Sequence, residues 1–441
     1  MKLPEHVHFC LTRLESAGYP CYAVGGCVRD ALLGLTPQDY DLCTAALPEE
    51  TEAVFAGCKL VLAGKKHGTV GVIIDSEVVE ITTFRTEGGY QDHRHPDWVR
   101  FVPEIKEDLA RRDFTVNAMA WSPTRGLQDP FGGEADLKNR ILRAVGDPEC
   151  RFREDALRIL RGLRFAARYG LKTEEQTLAA MNALAPLMEN LAAERVFSEL
   201  CKLLLWATAE DLIAFAPILG QILPELDATR GFAQHSPHHV YDVFTHTAHV
   251  VAATPRELPL RWAALLHDLG KVPTFTTDET GRGHFYGHAE VSAQMAEAIL
   301  HRLKAPTILR QQVVFLIRHH MTPLSPDHKL LRRWLSRYGK EALEQLLALQ
   351  KADFYSKGVS GEEADFYSIE AALGEVLAQD SCLSLKDLAV NGRDLMAMGI
   401  TGPAIGQTLN RLLALVLEER LPNEKEPLLE ALRQNTIWGE S

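Results

Sequence analysis

The chain has 441 residues, 46% of them hydrophobic and 24% charged, with 59 acidic against 47 basic side chains and a formal net charge of −12. That length implies several domains, and the acidic balance excludes nonspecific coating of nucleic acid, with no DNA partner expected, while permitting a local basic groove. Glu210, Asp211 and Glu225 interrupt the apolar segment 203–226, so no membrane partner is expected; eight scattered cysteines without a C-x-x-C pair, and an N-terminus without an apolar signal core, point to reduced thiols in the cytoplasm.

In chain order, residues 1–20 read as a short helix and Cys21–Gly25 as a strand, with a helix opening at Val28–Leu33 after Gly25-Gly26. Asp39–Cys43 reads as a second strand. The runs Lys59–Ala63, Thr69–Ile74, Glu77–Phe84 and Val99–Val102 are further strands, punctuated by glycine and turn residues. This mixed head ends near Asp136. Amphipathic helical patterns then fill Asp155–Tyr169, Glu174–Met188 and Glu194–Trp206, and the chain stays helical to Gln434. Loops are expected near 230–237, 277–287, 321–327 and 358–362. A mixed-sheet head followed by helical domains is an α+β arrangement.

The head carries four local motifs. Gly25-Gly26-Cys27-Val28-Arg29-Asp30 precedes Asp39-Tyr40-Asp41. Alternate residues of a strand share a face, so the Asp39 and Asp41 carboxylates should project together toward the Gly-Gly turn. Backbone N–H groups at such a turn suit phosphate oxygens, Arg29 adds a charge-assisted contact, and paired hard carboxylates suit Mg²⁺. Two-metal catalysis asks for carboxylates bridging metals roughly 4 Å apart. The second motif is Gly64–Val70 followed by Val79-Glu80-Ile81. A buried Glu80 needs a partner, either a metal or an arginine. The third is Arg111-Arg112-Asp113, in which Asp113 can accept from ribose hydroxyls and the arginines can take phosphate or ribose oxygens. The fourth is Glu154-Asp155-Ala156-Leu157-Arg158, with Arg161 one turn further on. Asp155 and Arg158 are helix neighbours. A carboxylate accepting from an exocyclic amine, with a guanidinium donating to the adjacent ring nitrogen, accepts cytosine and adenine. Uracil and guanine would leave the carboxylate unpaired, at about 1–3 kcal/mol or more. Around this motif lie Lys138, Arg140, Arg143, Arg151, Arg153, Arg158, Arg161, Arg164 and Arg168, a basic stretch that suits RNA or phosphate.

The motifs from Gly25 to Glu199 resemble the class II tRNA nucleotidyltransferases, the bacterial CCA-adding enzymes and their poly(A) polymerase relatives. The resemblance implies addition of C, C and A to the tRNA 3′ end from CTP and ATP. It also implies metal binding by Asp39 and Asp41, ribose binding by Arg111, Arg112 and Asp113, and an amino-acid template at Asp155 and Arg158. The segment 129–137 looks like the head–neck hinge, and Tyr90–Trp98 looks like the flexible loop. Glu194-Arg195-Val196 with Glu199-Leu200 looks like the buttress of the template helix. Gly64–Val70 is similar to CCA-adding members rather than poly(A) polymerases; an A-adding enzyme stays open.

Further on, His246, the helix Arg261–Leu266 ending in His267-Asp268, His288, His319-His320 and Asp353 offer imidazoles and carboxylates on helices, which can converge on a metal in a bundle core. The set resembles the HD phosphohydrolases. That resemblance implies a divalent transition metal held by His246, His267, Asp268 and Asp353, with His288, His319 and His320 for a second metal or a phosphate. The metal would activate water against phosphates or 2′,3′-cyclic phosphates. Ala352-Asp353-Phe354-Tyr355-Ser356 recurs as Ala364-Asp365-Phe366-Tyr367-Ser368, and Asp353 is favoured over Asp365 for its place after Leu346–Gln350. Segments 388–395 and 402–406 resemble a tRNA-binding tail. The expected division is a nucleotidyltransferase head at 1–137, a neck at 138–228, an HD-type domain at 229–358 and a tail at 359–441. The alternative function is a metal phosphohydrolase whose head only binds RNA. Nothing in the sequence fixes the oligomeric state.

Overall fold

A computed structural model of the chain describes residues 1–88, 98–236, 240–358, 365–379 and 382–434. The expected flexible loop falls outside the described residues, Trp98 excepted. Two compact units emerge, 1–228 with 299–305 and 229–298 with 306–441. Among the described residues, no helix is long and apolar enough to cross a membrane.

The first unit holds a seven-stranded mixed sheet. Its strands are β1 (Cys21–Val24), β2 (Asp41–Thr44), β3 (Lys59–Val61), β4 (Thr69–Ile74) and β5 (Glu77–Thr83), followed after a separate hairpin, β6 (Arg85–Gly88) with β7 (Trp98–Phe101), by β8 (Ala120–Ser122) and β9 (Gly126–Gln128). The order is β3-β4-β5-β2-β1-β8-β9, with β2 and β5 parallel and the other neighbours antiparallel. Tyr22, Val24, Cys43, Phe84, Val102, Leu109, Ala118, Ala120 and Val145 form an apolar core on this sheet. The α+β expectation holds. The strands β6, β8 and β9 are not among those expected from the sequence: their runs RTEG, AWS and GLQ hold a single β-branched residue, Thr86, against the several that mark β4 and β5.

The helices of this unit are α1 (Glu5–Ser16), α2 (Gly26–Leu32), α3 (Pro48–Val54), α4 (Ile105–Ala110), α5 (Gly133–Lys138), α6 (Pro148–Glu154), α7 (Leu157–Tyr169), α8 (Glu175–Leu184), α9 (Ala193–Leu204), α10 (Ala209–Ile222) and α11 (Pro224–Asp227). Helix α7 is buried almost all round. Gly162 permits this: a Cβ there would lie 2.0 Å from Met181 Cε and 2.9 Å from Phe114 Cζ. The same helix buries Arg158 and Arg164, which burial allows only with partners.

The second unit is helical: α12 (Val243–Ala253), α13 (Leu258–Leu266), α14 (Lys271–Thr274), most of α15 (His288–Arg302), α16 (Thr307–His319), α17 (His328–Tyr338), α18 (Lys340–Tyr355), α19 (Phe366–Ala378), α20 (Gly392–Ala397), α21 (Pro403–Leu417) and α22 (Lys425–Arg433). Leu331, Leu335, Leu343, Leu347, Phe366, Ile369 and Leu373 pack α17, α18 and α19 together. Leu412, Leu415, Leu428 and Val390 make a separate core toward the C-terminus.

Candidate active site

A cavity of about 580 Å³ in the first unit gathers the head motifs. Gly25, Gly26, Arg29, Asp39, Asp41, Arg111, Arg112, Asp113, Asp155, Arg158 and Arg161 all line it. The sheet register explains one end. Val24, the last residue of β1, pairs with Asp41, the first of β2, so the Gly-Gly turn leaves the sheet directly beside the Asp41 carboxylate. Gly25 adopts φ +72°, which strains any other residue, and a Cβ there would meet Arg112 Nη1 at 2.8 Å, so that guanidinium would have to shift. Asp39 precedes β2 instead of lying in it, so strand alternation does not set its direction, although both carboxylates reach the cavity. Neither has an ion-pair partner among the described residues. The Asp41 carboxyl is pushed above the usual range by confinement, against the pull of Arg112 and with the help of the like charge on Asp39.

Glu80 is a correction. It is exposed on β5, between buried Val79 and Ile81, and does not line the cavity. The apolar run around it reflects the inner face of the strand; Glu80 alternates outward, so burial does not demand a partner.

Arg29 also departs from expectation. Its guanidinium is buried, donating to Asp30, Asn117 and the Tyr169 hydroxyl and stacking on the Tyr169 ring at 4.3 Å and the Phe165 ring at 5.3 Å. It ties the Gly-Gly turn to α7, with Nε, Nη1 and Nη2 each already engaged by a protein partner. Asp113 is likewise occupied. Its Oδ1 accepts from the Phe114 N–H and the Asn117 amide, and its Oδ2 accepts from Arg161 Nε at 2.8 Å. Burial alone would raise this carboxyl; Arg161 overrides it, with the Asn117 amide, and holds it at about 2. Asp113 therefore aims Arg161, and a ribose hydroxyl finds no vacant lone pair of the kind the sequence suggested. Arg111 and Arg112 share the fully buried Asp108, at 2.8 and 3.3 Å.

The Asp155/Arg158 pair sits at a break in the chain, not within one helix. Helix α6 stops at Glu154, Asp155 is extended with φ −144°, and α7 starts at Leu157. Asp155 Oδ1 accepts the Leu157 N–H at 3.0 Å, capping α7, while Oδ2 is held by Arg195 of α9 at 2.8 Å. Arg158 pairs with Glu154 at 2.6 Å and donates to the Arg111 carbonyl. The two side chains thus make no salt bridge with each other; separate partners hold each beside the cavity. Arg164 of α7 and Glu199 of α9 add a buried pair at 2.6 Å.

A second cluster lies in the second unit. His246 of α12, His267 and Asp268 at the end of α13, His288 of α15, His320 after α16 and Asp353 of α18 converge. His246 Nε2 is 2.9 Å from Asp353 and 3.6 Å from Asp268; His267 Nε2 is 3.1 Å from Asp268. The other Asp268 oxygen faces His288 at 3.5 Å and His320 at 4.0 Å. In all four imidazoles Nδ1 lies against a main-chain carbonyl, of Ser356, Ala264, Phe285 and Ile317 in turn. A proton on Nδ1 in these contacts would leave each Nε2 to offer a lone pair to a central metal, the tautomer that metal ligation requires. Burial, and His267 beside it, push His320 down to about 4, and burial lowers His288. His267 Nε2 and Asp268 Oδ2 are buried without a hydrogen-bond partner. Lys271 Nζ is 2.7 Å from that same oxygen, but not aligned as a hydrogen bond.

Two expected members do not join. His319 packs instead among Phe315, Trp334 and Tyr338. Asp365 accepts the Ser368 N–H at the start of α19 and belongs to none of the clusters. The residues that sequence reasoning passed over are Lys271, three residues after Asp268, and Asn117 and Tyr169, which reach Arg29 from remote parts of the chain. Arg195, expected in the buttress of the template helix, holds Asp155.

Residues 21–143 match the family model of the poly A polymerase head domain, 170–229 that of an RNA- and SrmB-binding site of polymerase A, and 274–432 that of tRNA nucleotidyltransferase domain 2. The chain is 34% identical over 422 residues to a CCA-adding enzyme of Limosilactobacillus fermentum, covering 96% of this chain and 94% of that one. It is 34% identical over 429 residues to the CCA-adding enzyme of Streptococcus thermophilus, covering 96% of each. The crystal structure of the Bacillus stearothermophilus CCA-adding enzyme in complex with CTP superposes with a TM-score of 0.72 at 29% identity, covering 99% of both chains.

Proposed function

The chain belongs to the CCA-adding enzyme family, and from that premise we propose that it adds C, C and A to the 3′ end of tRNA, from CTP and ATP, without a nucleic-acid template. The observation that carries this reading is a single cavity lined both by Asp39, Asp41 and the Gly25-Gly26 turn and by Asp155 and Arg158. Asp39 and Asp41 fit Mg²⁺: they are exposed, free of ion pairs among the described residues, and close enough for one to raise the pKa of the other. Bound there, Mg²⁺ supplies charge neutralisation and an acidified attacking hydroxyl. Asp155 accepts from the exocyclic amine of C or A, and Arg158 donates to the adjacent ring nitrogen. Arg111, Arg112 and Arg161 supply positive edges along the nucleotide. The division into head (1–137), neck (138–228), metal domain (229–358) and tRNA-binding tail (359–441) is part of the proposal.

The test is incorporation into a tRNA that ends before its CCA, with CTP and ATP supplied singly and together. C should enter with CTP alone, and A should enter only after C. Entry of A without C, or runs of A, would favour an A-adding or poly(A) enzyme; no incorporation overturns the reading.

We also propose that the second cluster holds a divalent transition metal and hydrolyses phosphoesters. The four Nε2 atoms converging on Asp268 and Asp353, and the two buried polar atoms of His267 and Asp268 without a hydrogen-bond partner, support it. Bound there, the metal supplies Lewis acidity toward a phosphoryl oxygen. His267→Ala with Asp268→Ala should strip the bound metal and any hydrolysis of a 2′,3′-cyclic nucleotide while leaving nucleotide addition within about twofold, since independent sites act additively. A folded variant that keeps its metal, or loses nucleotide addition as well, counts against two independent centres.

A further inference from the structure

The cavity is crowded with arginines, yet nearly all are internally neutralised. Arg29 faces Asp30, Arg111 and Arg112 face Asp108, Arg158 faces Glu154, Arg161 faces Asp113, Arg164 faces Glu199 and Arg195 faces Asp155. Arg168 is the exception among the described residues that line the cavity: it has no carboxylate within ion-pair distance. It is nonetheless held in place. Its guanidinium lies over the Tyr169 ring at 5.2 Å and the Trp206 ring at 5.6 Å. Stacking on aromatic faces orients a guanidinium without neutralising it and leaves its in-plane N–H donors for a ligand.

Position indicates which ligand. Arg168 is two turns beyond Arg161 on α7, and about 15 Å along the axis from Arg158. Arg158 marks the base end. The Gly-Gly turn is clamped to the far part of α7 through Arg29, which stacks on Phe165 and Tyr169. An extended nucleoside triphosphate with its base at Arg158 and its α-phosphate by the Asp39/Asp41 carboxylates runs its terminal phosphates toward Arg168. We propose that Arg168 is the cation that binds the terminal phosphates of the incoming nucleotide, and the pyrophosphate that leaves. This rests on the nucleotidyltransferase reading of the cavity and adds to it a residue that acts on the phosphate tail, alike for CTP and ATP.

The test uses the full chain carrying Arg168→Gln or Arg168→Lys, with inorganic tripolyphosphate as the probe. In Arg168→Gln, KM for CTP and ATP should rise together, about tenfold for one lost charge-assisted contact. Inhibition by tripolyphosphate should weaken by the same factor. The preference for C and A over U and G, and the KM for the acceptor RNA, should not move. Arg168→Lys should recover part of the loss, because a point charge lacks the planar fork. Unchanged tripolyphosphate inhibition overturns the inference, and so does a rise confined to the KM for acceptor RNA, which would assign Arg168 to the RNA backbone. Failure of the parent reading looks different: the unsubstituted chain adds no nucleotide. Calorimetric titration of tripolyphosphate into both variants decides the matter in that case too, and thermal melting of each variant separates a lost contact from a lost fold.

Discussion

Asp39→Ala and Asp41→Ala are each expected to lower nucleotide addition at least about 10³-fold, because losing one well-placed electrostatic group at a reacting centre already costs about 10²–10³-fold. The fold should not notice. Both side chains are exposed, neither holds an ion pair among the described residues, and surface substitutions of that kind usually fall within about 0.5 kcal/mol. Desolvation raises the Asp41 carboxyl against the pull of Arg112, so removing its charge forfeits no net favourable interaction. The measurement is incorporation of labelled C into tRNA lacking CCA, beside thermal melting. Either variant retaining near-normal addition would remove these carboxylates from the chemistry. Glu80→Ala is the internal control: exposed and outside the cavity, it should leave the rate unchanged.

The second large effect concerns the choice of base. Asp155→Ala should relax discrimination of C and A against U and G by about 10–100-fold, the equivalent of the 1–3 kcal/mol that an unpaired buried polar group costs. The structure adds a second route to the same defect. Arg195 holds Asp155 Oδ2 at 2.8 Å, so Arg195→Ala frees the carboxylate to turn. The Leu157 N–H still holds the other oxygen at 3.0 Å, so the loss should be smaller than in Asp155→Ala. Competition among the four nucleoside triphosphates on an acceptor ready for C measures both. If Asp155→Ala lowers the rate for every base equally, the residue supports α7 and reads nothing.

Much of this was legible in the sequence, because the decisive signals are local. The run Gly25–Asp30 and the pair Asp39/Asp41 carry their signal within a few residues and both reach the cavity, although Asp39 lies before β2; Thr69–Ile74 forms the expected strand. The His267-Asp268 step and the distant imidazoles also converge. What escaped was direction and partnership. Glu80 lies in an apolar run, but the run alternates and Glu80 is on its outer face. Arg29 and Asp113 have the residue types for phosphate and ribose, yet Arg29 spends donors on Tyr169 and Asn117, and Asp113 accepts from Arg161, all remote in sequence, as well as from its near neighbour Asn117. Asp155 and Arg158 have helical spacing, but the helix breaks between them. His319 and His320 are adjacent, and only the phase of α16 decides that one faces the cluster and the other an aromatic pocket.

The Arg29 knot has a consequence for what the cavity accepts. A guanidinium enclosed by Asp30, Asn117, Tyr169 and Phe165 leaves the Gly-Gly turn and α7 no slack with respect to each other. The span from the Asp41 carboxylate to the base-facing pair is thus a fixed gauge. A nucleotide is sorted by its reach as well as by its edge: one whose sugar sets the α-phosphate nearer to the base, or farther from it, than an ordinary nucleoside does misses the carboxylates, however many phosphates it carries.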